Sequence, residues 1–423
     1  MIGTDLLQVI YAPRKAFKRI VENPKYLGAL IVILLFIGLQ LGFEYIQFAN
    51  TYTEQTQPVI TSLANYTNAG VWASNANVTN NFGDYFNYTI YTAYGYYPDL
   101  FGNSSLQLSG VNTNNVQAGL TNMSNGLTDV SNVDCSEVGF QNLSMTIKLA
   151  EPQTAPQNAT LTLYSLSDTN YFKYDLTSSV SNLAGGQWNN LTIPVGKAAA
   201  GWTSSGTPLW SNITSLTLGF SYPESSNVTI RIGALFFRGQ YQTPIQQDTT
   251  GVLLNFLQRF SLQILFSWFL ITGLIYLLLR AVKTNVLWKP LFIAIGFALF
   301  IMVIRAIVNI VATVTLPAIY YTFDLLPGVG LTPWGTAFYP AIAADTLFAQ
   351  SQAAVNNIGA ITEAFNTVTA AMFVLSYVWL GLLCSITLGA LKPDLSAAKR
   401  AIIAAASVIV TVLVLVFLVV GVA

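Results

Sequence analysis

Histidine is absent from this 423-residue chain, and cysteine occurs only twice. Without an imidazole there is no Ser–His–Asp relay and no histidine-ligated zinc. Cys135 and Cys384 fall in segments that the charge pattern places in different surroundings, so no disulfide framework is expected. Charge is scarce as well. Only 9% of residues are Asp, Glu, Lys or Arg, against about 25% in an average soluble domain. The bases are few and dispersed, which leaves no nucleic-acid footprint. No Gly-x-x-x-x-Gly-Lys-Ser/Thr loop is present to cradle a nucleotide. The acids of the polar region are scattered, without the paired carboxylates of a glycoside hydrolase. The expectation is a protein that is not an enzyme and holds neither a metal nor a cofactor.

What the chain does have is apolar sequence: 53% of residues are hydrophobic and the mean hydropathy is +0.52. Five runs, 26–48, 252–279, 290–316, 365–391 and 401–422, have the length needed to cross a bilayer, about 20 residues at about 1.5 Å each. Helices are expected, because lipid cannot satisfy exposed backbone groups. Arg14, Lys15, Lys18, Arg19 and Lys25 precede the first run. Arg280, Lys283 and Lys289 separate the second from the third, and Lys392, Lys399 and Arg400 the fourth from the fifth. The connection 317–364 contains no Lys or Arg. Since the basic side is cytoplasmic, the chain is expected to be a multi-pass cell-membrane protein with its N-terminus inside. Residues 49–251, the loop 317–364 and the C-terminus then lie outside. A six-span count, with a dip in 317–364, is the competing arrangement. The first run, behind 25 basic amphipathic residues, is expected to be a retained signal-anchor. That leading segment, with Phe17, Ile20 and Val21 on one face, suits a helix on the inner leaflet.

Glu44, Arg259 and Arg305 lie inside the runs, toward their outer ends. Charges in hydrocarbon are costly and usually pair or face a cavity. They are expected to form an intramembrane cluster in which Glu44 pairs with Arg259 or Arg305; a structural pin, a solute site and snorkelling are the roles open to them.

The block 49–250 is polar and carries ten Asn-x-Ser/Thr sequons, at Asn65, Asn77, Asn87, Asn103, Asn122, Asn142, Asn158, Asn190, Asn212 and Asn227. None occurs elsewhere in the chain, in keeping with an N-glycosylated external surface. Eleven acids against five bases between residues 51 and 250 leave the block at about −6. A stalk is expected over 49–83 and an all-β sandwich over 84–241. Alternation at 142–149, 159–166, 188–193, 216–220, 228–232 and 235–237, punctuated by Gly, Pro, Ser and Asn, predicts short antiparallel strands in two packed sheets. Trp202, Trp210 and Tyr96 are candidate sugar platforms, because a flat aromatic face stacks on pyranose C–H groups. Trp188 starts a strand and suits the core better.

The order of features in the block, from Gly102–Leu108 through Leu143, Trp188 and Trp210 to Val228, Ile230, Ile232, Leu235 and Phe237, resembles the galactose-binding-like jelly rolls found as carbohydrate-binding modules. The resemblance covers 84–241. The hydrophobic ends carry a second one. Pro13, Phe17, Ile20 and Pro24 before the first run, and Val378, Trp379, Gly381, Lys392 and Pro393 around the last turn, resemble the Yip family of five-span membrane proteins over 1–48 and 252–423. Together they imply an α-helical polytopic membrane bundle of five helices with an inserted extracellular jelly roll. The partners expected are the lipid bilayer and a cell-surface glycan or envelope protein, not nucleic acid. A membrane-organising scaffold and a transporter or its accessory subunit stand as alternatives, and the composition is archaeal-like.

Overall fold

The computed structural model describes residues 2–87, 90–92, 95–97, 101–120, 123, 132–322, 327–332, 335–340 and 349–420. It opens with three helices, α1 (Ile2–Tyr11), α2 (Pro13–Glu22) and α3 (Tyr26–Ala49). Pro13 stands at the first position of α2, where its missing N–H costs nothing. The apolar face of α2 turns into the bundle: Phe17 and Ile20 are buried in the same cluster as Leu291 and Leu388. That face therefore meets protein, not the bilayer surface expected from its amphipathic pattern.

A β-rich region follows. Its strands are β1 (Thr51–Gln57), β2 (Trp72–Ser74), β3 (Asn77–Asn81), the hairpin β4 (Ile90–Thr92) and β5 (Gly95–Tyr97), β6 (Ser105–Leu120), β7 (Asn142–Glu151), β8 (Asn158–Ser165) and β9 (Ser167–Asp175). A short α4 (Thr177–Ser181) precedes β10 (Asn189–Pro194), β11 (Trp202–Ser205) and β12 (Ile213–Gln242). Except for β4 and β5, these strands form one sheet that folds over itself into two layers. The first layer runs β11–β9–β8–β12–β6–β2 and uses residues 213–221 of β12. The second runs β10–β7–β12–β6–β3 and uses the later part of β12. Between the layers lie Leu106, Leu108, Val116, Leu143, Met145, Ile147, Leu161, Leu163, Leu218, Phe220, Ile230 and Ile232. These are the inward residues of the period-two pattern.

Two expectations need correction. Residues 49–83 are not a stalk: β1, β2 and β3 all pair with sandwich strands. Their polar sequences (β1 is Thr-Tyr-Thr-Glu-Gln-Thr-Gln) carry no apolar alternation to signal this. The segments 216–220, 228–232 and 235–237 are not separate strands but parts of the continuous β12. Within its polar stretch 221–227 only Ser221 and Ser226 pair with β6, across two shifts in register.

The C-terminal part is helical. It consists of α5 (Pro244–Gln247), α6 (Thr249–Ala281), α7 (Trp288–Ala298), α8 (Phe300–Val314), α9 (Ala349–Leu391) and α10 (Ala397–Val420). Between α8 and α9 lie β13 (Ile319–Tyr321) and the hairpin β14 (Pro327–Thr332) and β15 (Gly335–Pro340). Among the described residues five helical stretches are long and apolar enough to cross a membrane: Tyr26–Ala49, Thr249–Ala281, Trp288–Val314, Asn356–Leu391 and Ala397–Phe417. The third is interrupted at Leu299, between α7 and α8. α9 begins within the expected loop 317–364, because residues 349–364 are rich in Ala and place Ile358 and Thr362 inward, in line with Phe365 at helical spacing. Close approach at the centre depends on small residues. A Cβ on Gly296 would sit 2.6 Å from Ala29 Cβ and 2.9 Å from the Trp268 ring, and one on Gly28 would strike Phe297.

Sandwich and helices join without a linker. α3 ends at Ala49 and β1 begins at Thr51. At the other end Thr243 follows β12 and forms a capping box with Gln246, its hydroxyl accepting from Gln246 N at 3.2 Å. β13, which follows α8, pairs in parallel with β1. Tyr320 stacks on Tyr52 at 4.9 Å and meets Tyr241 edge-on at 5.3 Å.

Candidate functional site

The two outward faces of the sandwich differ. The outer face of the second layer is covered. Leu63, Phe86 and Phe101 bury Ala234 and Phe236 of β12. Phe101 stacks on Phe236 at 5.5 Å and Phe86 meets Trp188 at 6.1 Å. The covering segment is held by charge. The Asp84 carboxylate accepts from Lys148 Nζ at 2.7 Å and from Arg231. Gln107 Oε1 accepts from Arg231 Nε at 2.9 Å and from Asn81 Nδ2 at 2.7 Å. Burial acts to raise the Asp84 carboxyl, but the hydrogen bond and charge of Lys148, with Arg231, outweigh it and hold the group below its ordinary range. Lys148 also lies 5.8 Å from the centroid of the Trp188 ring.

The outer face of the first layer is open; no described element packs across it. Strand register sets its composition. Thr203, Lys173, Thr162, Thr217 and Gly119 form one cross-strand row. Ser205, Tyr171 and Tyr164 form the next, and Asp175, Thr160, Gly219 and Gln117 the row on the opposite side. Two glycines keep the middle low. A Cβ on Gly219 would lie 3.0 Å from Thr160 Oγ1, and one on Gly119 3.2 Å from Thr217 Oγ1. Tyr164 and Tyr171 rise beside this trough, edge to face at 5.9 Å. The Asp175 carboxylate accepts from Thr177, whose hydrogen bonds keep it below its ordinary range, so it is an acceptor at neutral pH. The site thus combines two aromatic rings, hydroxyls, an amide, an ammonium and a carboxylate on a rigid sheet.

The candidate platforms chosen from sequence lie elsewhere. Trp202 and Trp210 are half-buried and pack against the core from its open edge. Trp210 stacks on Phe172 at 3.8 Å, and Trp202 stands edge-on to it at 5.2 Å. Trp202 Nε1 donates to the Pro194 carbonyl at 2.8 Å and its ring meets Tyr174 at 5.1 Å. Only the backbone of Tyr96 falls among the described residues, paired with Tyr91. Tyr164 gave no sequence signal beyond ordinary strand alternation, and Tyr171 lay outside the predicted alternating segments. Their significance comes from cross-strand register, which sequence does not specify.

Of the sequon asparagines, Asn65, Asn77, Asn87, Asn103, Asn158 and Asn227 are exposed; Asn142, Asn190 and Asn212 are half-buried, and Asn122 lies outside the described residues. Among the helices, Glu44 is buried on α3. Arg259 lies 5.8 Å from the Phe260 ring centroid, and Arg305 4.8 Å from that of Phe373 on α9. The described residues contain no group of three His, Cys, Asp or Glu able to hold a metal.

No family model matches the chain, the five-span Yip family included, and no curated protein matches it. Solved structures do match. A family 11 carbohydrate-binding module from Clostridium thermocellum, in complex with a β-1,3-1,4-mixed-linked tetrasaccharide, is 12% identical with a TM-score of 0.24, over 40% of this chain and 88% of the module. A family 30 carbohydrate-binding module of a cellulosomal cellulase from the same organism is 14% identical with a TM-score of 0.25, over 41% and 92%. An exo-β-agarase is 12% identical with a TM-score of 0.27, over 43% of this chain and 25% of the agarase. Two of these three neighbours are carbohydrate-binding modules.

Proposed function

We propose that the chain is a non-enzymatic multi-pass membrane protein that displays its sandwich outside the cell and binds glycan on the open face of the first layer. The observation that carries this reading is the trough over Gly119 and Gly219 beside the Tyr164–Tyr171 pair. Pyranose rings present C–H faces that pack on aromatic rings and hydroxyls that exchange hydrogen bonds with Thr, Gln, Lys and Asp. The covered opposite face offers no comparable surface. The basic connections support a cytoplasmic N-terminus, and six exposed sequon asparagines suit an N-glycosylated exterior.

The test is a glycan array, with isolated cell-wall fractions in parallel, probed with the detergent-solubilised full chain. Tyr171→Ala and Tyr164→Ala are each expected to weaken binding at least tenfold, about 1.4 kcal/mol. Asp84→Asn, on the covered face, is expected to bind as wild type. Retention of no glycan and no wall fraction, or unchanged binding by both tyrosine variants, refutes the reading.

A further inference from the structure

At the opposite end of the molecule, α2, the last turns of α9 and the first turn of α10 enclose a cleft of about 650 Å³. This is within the size range of small-ligand sites, roughly 300–1,000 Å³. Arg14 and Lys18 of α2 and Arg400 of α10 line it, with Glu22 the only acid among the lining residues. Three cations and one carboxylate leave it at +2. Among the described residues none of the three cations makes a salt bridge or donates a side-chain hydrogen bond. Their neighbour Arg19, by contrast, is neutralised by Asp5 at 2.6 Å and also donates to Gln8.

The surroundings are built to admit an anion. The Arg400 guanidinium lies against Gly389, in space that any side chain there would occupy. The first turn of α10, beginning at Ala397, adds the partial positive charge of a helix N-terminus. Val21, Ile386 and Ala390 give the same cleft apolar walls. Arg provides a planar fork for phosphate oxygens and Lys a point charge.

We propose that this cleft binds a phosphate-bearing anion, and that the occupant is the headgroup of an anionic phospholipid. A polar recess with three cations and a net charge of +2 fits the phosphate, while the apolar walls fit the glycerol and first acyl carbons, a combination that a soluble phosphate would not use. Basic recesses between helices at a membrane interface recognise such headgroups. The inference rests on the membrane placement of the five helices, though not on glycan binding.

Native mass spectrometry of the detergent-purified full chain, offered equimolar phosphatidylglycerol and phosphatidylcholine, is the test. The wild type is expected to retain phosphatidylglycerol preferentially, and an Arg14→Gln/Lys18→Gln/Arg400→Gln variant to lose that preference at least tenfold. Glu22→Gln, which removes the only carboxylate, is expected to strengthen retention, an outcome that misfolding cannot imitate. Lys15→Gln, outside the cleft, should leave it unchanged. Millimolar inorganic phosphate should fail to displace the lipid; displacement, with no lipid preference, would make a soluble phosphate the occupant and overturn the lipid assignment. Equal phosphatidylglycerol retention by wild type and triple variant overturns the site altogether. Incorporation into nanodiscs of neutral lipid checks membrane placement separately.

Discussion

At the residue scale the most consequential pair is Glu54 with Arg238, side chains 184 positions apart. Arg238 Nε and Nη2 donate to the two Glu54 oxygens at 2.9 and 3.0 Å, and the carboxylate side chain is only 2% exposed. A buried pair of this kind is expensive to break, because the remaining charge has no solvent to turn to. Glu54→Ala is expected to destabilise the protein by about 3–5 kcal/mol, whereas the double substitution Glu54→Leu/Arg238→Met should fall within about 1 kcal/mol of wild type. Urea unfolding followed by tryptophan fluorescence measures both; a single variant as stable as wild type would contradict this account. Sequence gave no warning of the pair, since Glu54 sits in a uniformly polar stretch. The tryptophans show the converse. Trp202 and Trp210 were conspicuous by residue type, yet their rings are engaged with Phe172, Tyr174 and each other.

At the element scale, legibility followed hydropathy. The five apolar runs correspond to the five long apolar helices because each is continuous and flanked by polar residues. The first sixteen residues of α9 were missed for the same reason: they are polar, and their helical signal lies in propensity and in the spacing of Ile358, Thr362 and Phe365. Strand positions in the core were readable from period-two alternation. The length of β12 was not, because 221–227 looks like a turn, yet β12 runs through it and pairs with β6 on either side. The same limit applies to the packing of helix on helix. Gly296→Leu forces Ala29 and Trp268 apart and is expected to cost about 1–3 kcal/mol as overpacking. Gly273→Leu, with nothing within 4 Å of its Cβ position, should be near neutral. Thermal loss of the monodisperse peak in size-exclusion chromatography distinguishes them; equal melting of the two variants would remove Gly296 from the packing argument.

At the scale of the whole molecule, the boundary between sandwich and bundle lies where the hydropathy changes, at residues 49–51 and 242–249. A second boundary, drawn at residue 84 where the jelly-roll resemblance begins, is absent. A fragment of 84–241 would lack β1, β2 and β3 and expose the edges of β6 and β12 that they cover. It is expected to aggregate or to give a collapsed amide NMR spectrum, while 51–243 should give a dispersed one. A dispersed spectrum from 84–241 would show that the three strands are dispensable. The open face was beyond the reach of sequence because it is a property of register among five strands distant in the chain. The phosphate cleft is likewise assembled from residues as distant as Arg14 and Arg400.

The linker-free join has a mechanical meaning. β1 and β12 are antiparallel neighbours, and the ends that meet the helices are adjacent. A pull on the sandwich away from the bundle therefore runs along two covalent strands side by side and passes straight into α3 and, through α5, into α6. The hydrogen bonds between the strands carry little of that load. Spreading α3 and α6 apart does the reverse, opening the ladder one rung at a time from Thr53 and Gln242. The join is thus stiff toward tension along its strands and soft toward lateral motion between its own helices, with β13 alongside β1 and its Tyr320 in contact with both Tyr52 and Tyr241.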